Sequence, residues 1–317
     1  MDGPLYSVVI PTFNRAGVLP EAIDSVFLQG IDEVQVIVVD DGSTDATPEA
    51  VAGCIRRHGE RIVYIHQENQ GAGIARNRGI EVAEGRLVSL LDSDDLWLPG
   101  KMAAELELLE RYPEAEAVVS DGEVWRAGSL EMPSVFGWSG LQVAAERAPF
   151  FGPEDPPFWA EKTLVPTCCI TIRREALAKL GPWPFDPSLP YGEDWEMEVR
   201  MYFNCRVAVC PRILAKLRRY DDGTRGARGM PGGRGPRSER RVWDRARYEV
   251  MTRLERRCPL SPEARRAVEA TRVRAALHLA GRARGWERLE SLPLALGELR
   301  RANPAGALSV LAAGLRP

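Results

Sequence analysis

The segment Leu90-Leu91-Asp92-Ser93-Asp94-Asp95 places three carboxylates within four positions, directly after an apolar run. Carboxylates this crowded repel one another, and a divalent cation held through hard oxygen ligands is the natural resolution. The apolar run, Leu87-Val88-Ser89-Leu90-Leu91, reads as a buried strand. Groups at the carboxyl end of such a strand lie where open α/β sheets bind their ligands. The plain alternative is an Asp-rich turn in which Asp95 caps the next helix.

Three further segments fall at predicted strand ends. Val8 to Arg15 is a strand that breaks at Pro11-Thr12-Phe13-Asn14, a loop whose backbone and ring could flank a planar base or simply turn the chain. In Val38-Val39-Asp40-Asp41-Gly42-Ser43, a carboxylate can accept a hydrogen bond from a ring N–H of a base such as uracil, although Asp before Gly-Ser is also ordinary turn chemistry. Glu68 to Gly79 is a glycine-bearing loop, with Gly71 and Gly73, that enters a helix. Helix N-termini favour anions, and Arg76 or Arg78 would add charge, but the spacing is not a Walker A loop.

The elements that must position these residues alternate in type. Tyr6 to Ile10, Val34 to Val39, Arg61 to Ile65, Arg86 to Leu91 and Ala117 to Ser120 read as strands, with helices over 18–28, 46–58, 73–84 and 100–111. Such alternation predicts a parallel, doubly wound α/β sheet. Residues 121–163 lose the pattern but carry Trp125, Phe136, Trp138, Phe150, Phe151, Phe158 and Trp159, which predicts an ordered insertion lining a cleft. A strand over Thr167 to Arg173, a helix over 174–180, a helix from Glu193, and short strands at Arg206 to Val209 and Ile213 to Leu217 follow. Residues 221–237 hold six glycines and four arginines and are expected to form a flexible loop. Four helices are predicted after it, over 239–257, 262–281, 285–301 and 305–315.

Composition narrows the class. No apolar stretch approaches the roughly 20 residues needed to span a bilayer, and the N-terminus enters its first strand without a targeting segment, so a cytoplasmic protein is expected. The six cysteines show no zinc-type pairs and are expected to be buried and reduced. Residues 1–220 hold 21 basic and 34 acidic side chains, 221–237 hold 4 and 2, and 238–317 hold 17 and 9, for net charges of −13, +2 and +8. A basic tail on an acidic body either packs on that body or faces something anionic, such as the inner face of a membrane or a phosphorylated acceptor. A solvated Arg-rich helical surface is the simpler alternative, and no nucleic-acid partner is expected.

Taken in order and at their spacing, the segments Val8 to Arg15, Val38 to Asp45, Asn69 to Gly79 and Leu90 to Asp95 resemble the nucleotide-sugar-binding half of family 2 glycosyltransferases, which have the GT-A fold. The resemblance continues through Ile172 to Leu177, Gly181 to Asp186 and Gly192-Glu193-Asp194-Trp195, the last similar to the family's ED motif. It implies a GT-A domain over 1–220, with a donor half at 1–100 and an acceptor half at 101–220, followed by the 221–237 loop and a helical region at 238–317 for acceptor binding or oligomerisation. It also implies a nucleotide-sugar donor, a UDP-sugar favoured, a carbohydrate or glycoconjugate acceptor, and Mn²⁺ or Mg²⁺. Asp92 and Asp94 would hold the metal, with Asp94 the direct ligand. Asp41 would contact the base, with Asp40 beside it, and Pro11, Thr12, Phe13, Asn14, Gly71, Arg76 and Ser93 would complete the nucleotide site. Asp194 would be the general base, because an acceptor hydroxyl is a poor nucleophile until a carboxylate takes its proton. Asp95, Glu193, Trp195, Arg218 and Arg219 are candidates for diphosphate or acceptor contacts. Tyr220 departs from the family pattern by standing where a His is expected, and 221–237 would be a lid over the donor. Two rivals are a nucleotide-sugar-binding protein without turnover and a sugar-1-phosphate nucleotidyltransferase. The second needs a glycine-rich loop after the first strand, and Pro11 to Arg15 has no glycine.

Overall fold

The computed structural model describes residues 3–139, 150–151, 165–189, 191–220, 237–282, 294 and 297–298. Its first half repeats strand and helix: β1 (Tyr6–Thr12), α1 (Leu19–Phe27), β2 (Val34–Asp40), α2 (Thr47–His58), β3 (Ile62–His66), α3 (Ala72–Glu81) and β4 (Leu87–Leu90). Every residue of β1 and β4 is buried, as strands covered on both faces must be. Helix α1 presents Leu19, Ala22, Ile23 and Val26 along one buried face, with Pro20 at its first turn where the missing N–H costs nothing.

The second half consists of β5 (Leu96–Trp97), α4 (Lys101–Arg111), β6 (Ala117–Arg126), β7 (Ser129–Met132), α5 (Val135–Ser139), β8 (Phe150–Phe151), β9 (Ile170–Arg173), α6 (Glu193–Asn204) and β10 (Val207–Arg219). Two helices close the chain, α7 (Arg237–Arg257) and α8 (Pro262–Arg282). The described strands form one sheet in the order β3-β2-β1-β4-β9-β6-β10-β5, with β7 on β6 and β8 on β10. Strands β3, β2, β1 and β4 are parallel. Since β9 is antiparallel to both β4 and β6, β6 keeps the direction of β4, and β10 lies parallel to β6. The sheet is therefore mostly parallel in direction, a GT-A type arrangement, with β9 as an inserted reversal.

A buried polar network pins that inserted strand. Ser89 of β4 and Thr171 of β9 are register partners whose hydroxyls meet at 2.7 Å, and Thr171 donates to Glu105 of α4 at 2.9 Å. Glu105 is bonded in turn to Lys101, and both are fully buried. Two predicted features come out differently. The separate strands at 206–209 and 213–217 are one strand, β10, whose ladder with β6 shifts register between Cys210 and Ile213 and again before Ala215, so Pro211 interrupts pairing without ending the strand. The segment predicted as a helix at 174–180 is a 3₁₀ turn.

Strand β6 runs on to Arg126 and turns back through β7, which uses part of the expected insertion. Phe136 is buried in the core, and Trp125 lies under the Lys216 ammonium at 3.8 Å. Phe158, Trp159, the 221–236 loop, most of the predicted 285–301 helix and all of 305–315 lie outside the described residues. All six cysteines are free and buried. Among the described residues no helix is long and apolar enough to cross a membrane.

Candidate active site

The loops that follow β1 and β2 are stitched to one another. Asn14 adopts a left-handed φ of 53°, and its Oδ1 accepts the Thr44 N–H at 2.8 Å and the Asp45 N–H at 3.3 Å. Its own N–H donates to Ser43 Oγ at 2.9 Å, and the Arg15 N–H donates to Thr47 Oγ1 at 3.0 Å. The Asn14 amide oxygen is thus engaged by the protein. Pro11 and Thr12 lie within fully buried β1, which leaves Phe13, 44% exposed, as the solvent-facing side chain of this segment.

Asp40 and Asp41 divide their work. Asp40 has no exposed surface; its Oδ1 accepts the Ser43 N–H at 2.8 Å and its Oδ2 the Tyr64 hydroxyl at 2.7 Å. It shapes the turn. Asp41 Oδ1 accepts the Gln70 N–H at 2.9 Å and a hydrogen bond from Gln67 Nε2 at 2.8 Å, while among the described residues Oδ2 accepts the Gly71 N–H at 2.7 Å alone. A carboxylate has about four lone-pair sites, so Asp41 keeps one on Oδ2 while it holds the loop leading into α3.

Each acid of the Asp92 turn meets a different arginine. Asp92 Oδ1 is 2.6 Å from Arg76 Nη2, and its Oδ2 accepts Thr167 Oγ1 at 3.0 Å. Asp94 Oδ2 stands 3.5 Å from Arg15 Nη2, a loose ion pair. Asp95 Oδ1 accepts the Arg218 backbone N–H at 3.0 Å. Burial raises the carboxyl of Asp94, the neighbouring Asp92 charge adds to the shift, and Arg15 opposes it. Asp95 is raised further, by burial and then by Asp94 and Asp92. Ser93 is buried between them.

The arginines at the end of β10, candidates for diphosphate or acceptor contacts, are engaged by protein groups. Arg218 is bonded to Glu21, to the Asp94 carbonyl at 2.5 Å and to the Val18 carbonyl at 3.4 Å, and Arg219 pairs with Glu131 at 3.2 Å. Both arginines brace the turn and the β6–β7 hairpin. Trp195, a candidate acceptor contact, is 3% exposed and packs in the core.

Helix α6 opens with Glu193 and Asp194 after Gly192, whose φ is 75°. Asp194 is half-buried. Its Oδ1 accepts the Trp195 N–H at 2.7 Å, and Oδ2 has no hydrogen-bond partner among the described residues. Glu193 Oε1 is 3.5 Å from Arg76 Nη1. Burial pushes the Glu193 carboxyl up to about 7, Asp194 adds to that and Arg76 opposes it. Arg76 is thereby bonded to acids of both halves, and the Asp194 charge also acts on it.

No cluster of three or more His, Cys, Asp or Glu side chains able to enclose a metal occurs among the described residues. The donor set instead suits a Mg²⁺ or Mn²⁺ ion that takes one or two carboxylates and completes its shell with substrate phosphates. Asp94 fits as the direct ligand because its ion pair with Arg15 is loose, with Arg218 a further positive charge nearby, whereas both Asp92 oxygens are engaged. Sequence reasoning passed over Arg15, Thr167 and Tyr64. Arg15 was legible as the residue that ends the Pro11 to Asn14 loop; the other two are brought to the site only by the fold.

The pattern of glycosyl transferase family 2 matches residues 7–181. This chain belongs to that family. It is 37% identical over 235 residues to an uncharacterized glycosyltransferase of Rickettsia prowazekii, covering 69% of this chain and 70% of that one. It is 28% identical over 233 residues to the counterpart of Rickettsia typhi, covering 70% and 66%. In fold it is similar to S. aureus TarS 1-349 in complex with UDP-GlcNAc (TM-score 0.64, 19% identity, 95% of this chain and 81% of that one). It is also similar to a mannosyltransferase of Pyrobaculum calidifontis in complex with GDP-Man and Mn²⁺ (TM-score 0.60, 22% identity, 98% and 79%).

Proposed function

We propose that this protein is a metal-dependent, inverting glycosyltransferase that moves a sugar from a nucleotide-sugar, a UDP-sugar favoured, to a carbohydrate hydroxyl. The observation that carries the reading is that Asp194, with one free carboxylate oxygen, stands beside an Arg76 already bonded to Asp92, so the candidate base and the donor-side acids share one cation. In the reaction the acceptor hydroxyl gives its proton to Asp194 as its oxygen attacks the anomeric carbon. The bond from that carbon to the diphosphate breaks, and the nucleoside diphosphate departs from the opposite face. A single displacement of this kind inverts the centre.

Asp94, with Asp92 alongside, would hold a divalent cation whose chemistry is to neutralise charge gathering on the departing diphosphate. Phe13 would cover the base, and the remaining Asp41 lone pair would accept its ring N–H. Uracil, thymine and guanine each offer such an N–H, so UDP, dTDP and GDP are the nucleotides to compare, UDP and GDP in keeping with the ligands of the two structural neighbours.

The test is Asp194→Asn. General-base catalysis is worth roughly 100- to 10,000-fold, so turnover should fall by at least about 100-fold while nucleotide still binds with metal. Turnover that survives the substitution removes Asp194 as the base. Nucleotide-sugar binding without any turnover by the unaltered protein makes it a binding protein.

A further inference from the structure

We propose that Arg76 and Glu193 form a positioning pair that sets the base-bearing end of α6 against the donor-side carboxylates. The proposal rests on the reading of Asp194 and the Asp92 turn given above. The Arg76 side chain is 7% exposed, and its planar fork is divided between two acids. One arm bonds Asp92 at 2.6 Å, the other reaches Glu193 at 3.5 Å, and the guanidinium lies 5.2 Å from the centre of the Phe185 ring. Asp92 is fixed from its other side by Thr167. A continuous path of contacts thus runs from Thr167 through Asp92, Arg76 and Glu193 to the adjoining Asp194.

Helix α3 makes two further contacts to the same region, and they point the same way. Asn77 brackets Phe185, donating to its carbonyl at 2.6 Å and accepting its N–H at 2.9 Å. Gly73, one turn before Arg76, approaches so closely that an added Cβ would sit 2.9 Å from Glu193 Cγ. The helix is therefore built to touch Glu193, and Arg76 is the positive charge that opposes the effect of burial and of Asp194 on the Glu193 carboxyl. Without it, the first turn of α6 loses its tie to the donor half. A misplacement of about 1 Å at a reacting group can cost about 100-fold in rate.

A double-mutant cycle tests the pair, using Arg76→Met, Glu193→Gln and both together. The assay is release of UDP from a UDP-sugar with water or a sugar as acceptor, alongside calorimetric binding of UDP and Mn²⁺. Each single change should lower kcat about 10- to 100-fold and change the donor KM by less than about three-fold. The double variant should be no worse than about three-fold below the weaker single, because each removes the same tie. Arg76→Lys should not rescue, since one ammonium cannot span two carboxylates as the fork does. Glu193→Asp keeps the charge but shortens the reach, and it carries the test if Arg76→Met does not fold: its kcat should fall with KM unchanged.

Additive losses, a donor KM that rises in place of a lower kcat, or an unaffected Glu193→Asp would overturn the pair and leave the functional reading standing. An unaltered protein that neither binds UDP with Mn²⁺ nor releases it would overturn both.

Discussion

Arg15 and Arg76 pair with carboxylates of the Asp92 turn, and they do so unequally, while Arg218 meets Asp95 through its backbone N–H. Asp92 has a close partner at 2.6 Å, whereas the ion pair of Asp94 with Arg15 is 3.5 Å long. That imbalance leaves Asp94 with a weaker partner than Asp92. It also has a consequence for stability. Glu193 is raised from 4.5 to about 7, and Asp94 and Asp95 are raised from 3.8, so between those ordinary values and the raised ones the folded chain holds protons that the unfolded chain has released. Folding stability should therefore decline as pH rises from about 4.5 toward 8, most of the Glu193 part being lost by about pH 7, with a size on the order of 1–3 kcal/mol. Glu193→Gln should flatten the upper part of that decline in urea melts taken across the range. A slope unchanged by the substitution would show that Glu193 titrates normally.

At the level of elements, α3 is held against the sheet by a glycine rather than by a large side chain. A Cβ on Gly79 would lie 2.3 Å from Val9 Cγ1 of β1, a central strand that has no room to yield. Gly79→Ala should cost about 1–3 kcal/mol through overpacking, despite the better helix propensity of Ala. Gly53→Ala, where the nearest atom beyond the helix backbone is 3.7 Å away, should not destabilise α2. Thermal melts that place the two variants in the opposite order would contradict this packing. Much of this level was legible beforehand: the first four strands and four long helices carry their own periodicity and boundary residues, and the acids at the strand ends follow from them. The reversed strand β9 was not, because its neighbours β4 and β6 are chosen by a buried network of Ser89, Thr171, Glu105 and Lys101 that no local pattern announces. The same holds in the site, where Arg76 and Glu193 meet across 117 positions. The commitment of Arg218 to Asp94, Asp95 and Glu21 was equally hidden.

Across the whole molecule, the basic C-terminal region packs on the acidic body in the described part of the chain. Arg253 and Arg257 of α7 bond Asp186 at 3.1 and 2.9 Å, and Arg257 also reaches the fully buried Glu196 at 3.2 Å. Val250, Met251 and Leu254 are fully buried in the same core as the sheet, and α7 lies against Gly192 at the head of α6. Burying three such side chains is worth about 5 kcal/mol, comparable to the whole stability of many domains. A chain ended at residue 236 should accordingly melt well below the full chain or fail to stay in solution; an unchanged melt would mean that α7 is dispensable.

The central claim, that donor nucleotide and metal meet at the Asp92 to Asp95 turn, is tested most directly by calorimetric titration with UDP, GDP and dTDP, each with and without Mn²⁺. The expected result is that one nucleotide binds, that Mn²⁺ tightens it, and that Asp94→Ala abolishes the tightening. Binding of none of the three, or a metal effect that survives Asp94→Ala, would contradict it.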